Sequence, residues 1–184
     1  SFVHQVPDPV NQAMPADLPS IEATLDAVAG HLGQARRALF ITGAGISADS
    51  GLPTYRGVGG LYASETTADG LRIEEALSGE VFALRPDITW KYLIQIEESC
   101  RGAQPRAAHR AIAWLERHLD RVMVFTQNVD GLHRAAGSGE IVEIHGNLQE
   151  LACTACSHQE AVADMSGREI PPRCPVCGAV LRPK

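Results

Sequence analysis

The chain has 184 residues, with 16 Lys and Arg against 22 Asp and Glu, a formal charge of −6, and 45% apolar and 21% charged residues. That is enough chain for one sizeable core with a small satellite module. The acidic balance argues against binding nucleic acid by phosphate neutralisation, and no apolar run approaches the roughly 20 residues that span a bilayer.

Residues 1–19 carry Pro7, Pro9, Pro15 and Pro19 without periodicity and are expected to form an extended lead-in. They show no basic flank followed by an apolar stretch, so no secretory leader is expected. A helix should follow. Ser20 suits its N-cap, Ile21, Leu25, Val28 and Leu32 share one face, and Gly33 stands where a C-terminal cap would sit.

The run Ala38 to Thr42 is apolar on both parities, which suits a strand buried on both faces of a parallel sheet. Val122 to Thr126 and Ile141 to Ile144 read the same way. Between the first two, Pro86 can open a helix bearing Ile88, Tyr92 or Leu93, and Ile96. Ala108, Ile112, Leu115 and Leu119 mark another apolar stripe. Strands alternating with helices predict an α/β fold.

Cys153-x2-Cys156 and Cys174-x2-Cys177 are separated by 17 residues, and Cys100 stands alone. Four thiolates satisfy the tetrahedral preference of zinc, and each two-residue spacer lets one turn present both sulfurs to one ion. A complete sulfur shell leaves no open position, so the expected zinc is structural. His158 lies nearby, but four cysteines already fill the shell. Clustered thiols also suit a reducing, cytoplasmic compartment. Cys100 reads by default as a small buried apolar thiol, its role open.

Gly43-Ala44-Gly45-Ile46-Ser47-Ala48 directly follows the first strand and fits G-x-G-x-x-G/A. In that pattern the next helix would aim its first amides at a phosphate. Alone the pattern is weak, because a plain Gly-rich turn fits it equally. The continuation carries more. GAGISADSGLPTYR (43–56), TQNVDGLH (126–133) and EIHG (143–146), followed by the four-cysteine segment, resemble the sirtuins, NAD-dependent protein deacylases, with the family's motifs in the family's order.

The resemblance implies a Rossmann-like doubly wound parallel sheet with a small four-cysteine zinc-ribbon module. The expected layout is a first-half NAD-binding domain over 20–150 and a zinc module over 151–182. It also implies an NAD site at Gly43, Ala44, Gly45, Ser47, Thr54, Tyr55 and Arg56, continued by Gln127, Asn128 and Asp130 around the nicotinamide and ribose. Tyr55 stands where most members have phenylalanine, and Thr54 replaces a common aspartate. His145 matches the catalytic histidine, a general base accepting a ribose hydroxyl proton, with Asn128 and Asp130 counted beside it as catalytic. His109 and His133 read as structural. The expected substrate is an acylated lysine of a protein or peptide, with neither nucleic acid nor membrane as partner.

Relatives that remove succinyl or malonyl groups carry Tyr-x-x-Arg on the helix after the cofactor loop. Here those positions hold Leu93 and Ile96, or Tyr92 and Gln95 one residue earlier, so an uncharged acyl group is expected. Leu93 and Ile96 equally suit a core. A sirtuin continues past Lys184 into the second half of its Rossmann domain. The chain therefore reads as part of a longer protein, or else as a truncated paralogue. Two other functions share these residues: NAD hydrolysis or mono-ADP-ribosyl transfer at the same site, and a zinc-stabilised binding module without catalysis.

Overall fold

The computed structural model describes residues 20–53 and 66–184. The chain divides into two compact units, Ser1–Arg36 and Arg37–Lys184. In the first, helix α1 (Ile21–Gln34) opens as expected, with Ser20 Oγ accepting from the Ala23 amide at 3.1 Å. Its end differs. Gly33 lies within the helix, and the cap is Ala35, whose amide donates to Leu32 O.

The second unit begins with β1 (Arg37–Thr42), which leads into a 3₁₀ helix, Ala44–Ser50. Two short helices follow, α2 (Ile73–Ala76) and α3 (Gly79–Leu84), then α4 (Pro86–Cys100) with proline at its first turn and α5 (Ala107–Leu115). Strand β2 (Arg121–Thr126), helix α6 (Leu132–Ala135) and strand β3 (Ile141–Glu143) complete a parallel sheet in the order β1-β2-β3. The expected parallel α/β architecture is present.

Register fixes which residues share a face. Phe40 pairs with Val124, and Val124 with Ile141; with Ala38 and Val122 they pack against Ile112, Leu115 and Leu119. Ala108 takes no part and lies exposed. The other face carries Leu39, Met123, Ile41, Phe125 and Val142, and there the expectation of two-sided burial fails. Leu39 is 59% and Ile41 70% exposed, because among the described residues no helix of this unit covers them.

A second, antiparallel sheet has the order β5-β4-β6, from β4 (Glu150–Cys153), β5 (Gln159–Ala161) and β6 (Leu181–Pro183). It shares a core with α4: Trp90 packs among Leu151, Val162, Met165, Cys174 and Leu181, and its indole N–H donates to Leu181 O at 2.9 Å. That bond satisfies the one polar group of an otherwise buried ring. No helix among the described residues is long and apolar enough to cross a membrane.

Candidate functional site

Thr42, Thr126 and Glu143 stand in one row across the sheet, so three loops leave the carboxyl ends of β1, β2 and β3 side by side. In open parallel sheets this is the edge where ligands bind. The first loop departs from expectation: Gly43 is followed by a seven-residue 3₁₀ helix, with the Ile46 amide donating to Gly43 O at 3.2 Å. The expected fan of free α-helical amides is therefore absent at this point.

What the loop does present is a buried polar network. Ser47 Oγ donates to Asp130 Oδ2 at 2.7 Å, and Asn128 Nδ2 donates to Ser47 Oγ and Gly43 O, both at 3.1 Å. Asp130 Oδ1 accepts from the Leu132 amide at 2.9 Å, at the start of α6. The Asn128 amide donates to Thr126 Oγ1 at 3.1 Å, and the Gln127 amide to Thr42 O at 3.0 Å. The second loop is thus tied to the first at several points.

Gly43, Ala44, Gln127, Asn128 and His145 converge on one cavity of about 620 Å³. Its apolar wall includes Leu93 and Ile96, joined by Ile73 and Leu77. Both open readings of Ile96 hold together, for it lines the cavity and is almost wholly buried. A space of about 30 Å³ adjoins, between Ser47, Asn128, Asp130 and Cys100. Gly45 lines neither cavity, and Thr54, Tyr55 and Arg56 lie outside the described residues.

Neither Gly43 nor Gly45 has positive φ. Among the described residues a Cβ at Gly45 would meet nothing within 4 Å, and one at Gly43 only Gln127 Nε2 at an ordinary 3.8 Å. The chain's own packing therefore does not demand glycine there. Bare backbone beside a roomy cavity suits close approach by a ligand.

Local pattern could not have found Ile73, Glu74 and Leu77, which reach the cavity from the four-residue α2 and the residue after it. Cys100 is partly buried, and its thiol is pushed up to about 11, first by burial and then by the Asp130 carboxylate. It is a protonated wall residue at neutral pH, not a nucleophile.

Behind the network lie His109 and His133, with ring centroids 5.0 Å apart in an edge-on contact. His133 Nε2 bonds Thr42 Oγ1 at 3.0 Å, whereas among the described residues both nitrogens of the fully buried His109 lack a partner. Burial lowers both pKa values, and for His133 the neighbouring His109 adds to it. Both rings are neutral at pH 7. Stability should therefore fall as pH drops below the ordinary histidine value of about 6.5, where the unfolded chain takes up protons that the folded rings refuse. Urea midpoints at pH 7.5 and 5.5 check this. His109→Gln should shrink the drop, and an unchanged drop would remove the pair from the account.

The four cysteines gather as expected, with all sulfurs within 4.8 Å of one another. Sγ separations are 3.4 Å for Cys153–Cys177, 3.7 Å for Cys156–Cys174 and 3.6 Å for Cys156–Cys177. A tetrahedron with Zn–S bonds of about 2.3 Å has edges of about 3.8 Å, so the set fits one zinc ion. The Ala155 amide donates to Cys153 Sγ at 3.3 Å, and backbone donors led by this one bring that thiol down to about 6. His158 turns instead to Glu160, at 3.1 Å.

The Sir2 family model matches residues 43–184. Among curated relatives, NAD-dependent protein deacylase 2 of Pseudomonas syringae pv. tomato is 52% identical over 158 residues, covering 84% of this chain and 63% of the relative. The protein of the same name from Pseudomonas aeruginosa is 49% identical over 159 residues, covering 85% and 62%. A solved Sir2 homologue–NAD complex superposes with a TM-score of 0.71 at 37% identity, covering 86% of this chain and 59% of that one. A Sir2 variant with a deacetylated p53 peptide and 3′-O-acetyl-ADP-ribose gives 0.73 at 29% identity, covering 87% and 63%. The chain spans about three fifths of the length of the curated relatives it matches.

Proposed function

The chain belongs to the Sir2 family, and from that membership we propose that it carries the catalytic half of an NAD-dependent protein-lysine deacylase. The observation that carries this reading is the convergence of Gly43, Gln127, Asn128 and His145 on one cavity at the carboxyl ends of three parallel strands. NAD, when bound, supplies a ribose carbon that exchanges nicotinamide for the acyl oxygen.

The chain's own residues divide the remaining work. Gly43 and Ala44 offer bare backbone to the cofactor. Gln127 and Asn128 orient its nicotinamide end with side-chain amides, and Ser47 with Asp130 holds Asn128 in place through hydroxyl and carboxylate. His145 is exposed at the cavity and acts as the general base for a ribose hydroxyl proton. Asn128 and Asp130 support it from the opposite loop. Thr54, Tyr55 and Arg56 belong to the cofactor site on the strength of family position alone.

The described cavity wall holds Glu74 and no Lys or Arg beside Leu93 and Ile96. An acyl carboxylate would find no cationic partner there, which supports an acetyl or other neutral acyl group on the substrate lysine. Four thiols arranged as one metal-binding set suit a reducing, cytoplasmic setting.

Mass spectrometry of products from NAD with acetyl-lysine and succinyl-lysine peptides tests the reading. The expected result is 2′-O-acyl-ADP-ribose from the acetyl peptide, abolished in His145→Ala, with succinyl turnover at least tenfold lower. Nicotinamide release without peptide would instead indicate NAD hydrolysis, and comparable succinyl turnover would overturn the neutral-acyl assignment.

A further inference from the structure

The turn that carries His145 is not held by the sheet alone. β3 ends at Glu143, and the backbone keeps contact with β2 through only one more bond, from the Ile144 amide to Thr126 O at 3.1 Å. The turn closes on itself with the Gly146 amide donating to Glu143 O at 3.1 Å, and directly beyond it stands Asn147, which is nearly fully buried. Its Nδ2 donates to Glu143 Oε1 at 3.0 Å, and its Oδ1 accepts from the Gln149 amide at 2.7 Å. Its own amide donates to Lys184 O at 3.0 Å.

The two ends of this network lead to different parts of the molecule. Glu143 also receives Arg134 of α6, with Nη2 to Oε2 at 2.8 Å, so it joins the His145 turn to the helix that follows the Gln127–Asp130 loop. Lys184 closes β6, and its amide donates to Glu150 O at 2.9 Å, at the start of β4. Strand β4 ends on Cys153, and β6 returns from the turn bearing Cys174 and Cys177. Asn147 therefore sits where the Glu143–Arg134 ion pair meets the base of the cysteine cluster, its carboxamide reaching Glu143 and Gln149 and its main-chain amide reaching Lys184.

We propose that Asn147 is a positioning residue for His145: it sets the presentation of the imidazole to the cavity by bridging the Glu143–Arg134 pair to the β4–β6 base of the metal module. This rests on His145 being the general base. Neither Asn147 nor Glu143 lines the cavity, so their effect reaches the cavity through the turn. The bridge is directional, because Glu143 needs a donor and Gln149 an acceptor, and a carboxamide supplies both from one planar group. Aspartate has the same shape but sets a carboxylate against Glu143. Changing Glu143 to glutamine in that background restores a donor–acceptor pair with the roles exchanged.

The test is a ¹H–¹⁵N spectrum of the histidine rings in the zinc-loaded full chain at fixed pH, with the His145 signals assigned by His145→Ala. In Asn147→Asp the His145 ring signals should shift or split while those of His118, in the turn after α5, stay in place. The double variant Asn147→Asp/Glu143→Gln should return them toward the wild-type positions. If Asn147→Asp does not fold, Asn147→Ser carries the same comparison. His145 ring signals that superpose on wild type would overturn the proposal, as would displacement of every histidine together, which marks loss of fold rather than of positioning. Turnover keeps the two readings apart. Nicotinamide release should lose kcat by about tenfold to a hundredfold at unchanged KM for NAD, the scale of a small misplacement. Absence of release even in the wild type counts against the deacylase reading, while the ring spectra still decide the positioning.

Discussion

Cys174→Ser is expected to cost the chain its zinc and to unfold the β4–β6 sheet. Cys174 is both a sulfur of the tetrahedral set and a 3%-exposed member of the core that Trp90 shares with Leu151 and Leu181. Structural zinc sites contribute on the order of 10–16 kcal/mol in small zinc-bound domains, as much as or more than the roughly 5–15 kcal/mol by which a whole domain is stable. Chelation of the wild type should therefore reproduce the variant. Metal content by mass spectrometry should fall from one zinc per chain to none, and tryptophan fluorescence should report exposure of Trp90. A variant that keeps stoichiometric zinc and native fluorescence would show that the fourth sulfur is dispensable and that the core stands without it.

Gly146→Ala should be the most damaging single methyl group in the sheet-end loops. Gly146 has φ +81°, and an added Cβ would lie 2.2 Å from the backbone oxygen of Lys184, which the Asn147 amide holds in place. Left-handed backbone alone costs a non-glycine residue roughly 1–2 kcal/mol. Displacing Lys184 also breaks the bond that its carbonyl accepts from Asn147, worth about 1 kcal/mol. A total near 3 kcal/mol is expected from the shift in urea midpoint. Gly102→Ala is the control, since Gly102 has φ +78° with open space around it and should lose only about 1 kcal/mol. Equal losses at the two sites would show that the close approach of Lys184 is soft.

Legibility from sequence followed the range of the interactions involved. The three strands, the cap at Ser20, the helix opened by Pro86 and the cysteine cluster were readable because each is a local pattern of polarity or spacing. Gly33 was misread because an interior glycine and a terminal one look alike without the backbone angles. The apolar parities of β1 were a sound sign of a parallel sheet, yet they could not tell that the described residues of this unit cover one face only. Helices α2 and α6 have four residues each, too few for a period to show, and so the cavity residues Ile73 and Glu74 went unremarked. The contact between Gly146 and Lys184 spans 38 positions of chain, and no window along the sequence contains both ends.

The row formed by Thr42, Thr126 and Glu143 has a consequence for how such a protein changes over generations. Each strand end launches its own loop, and substitutions within one loop leave the pairing of the strands beneath untouched. On the proposed assignment, ligand grip, ligand orientation and proton traffic would be written on separate stretches of gene, open to independent variation and recombination. Gly146 is the exception, since a lineage that alters the metal module must keep the bare backbone against which Lys184 rests.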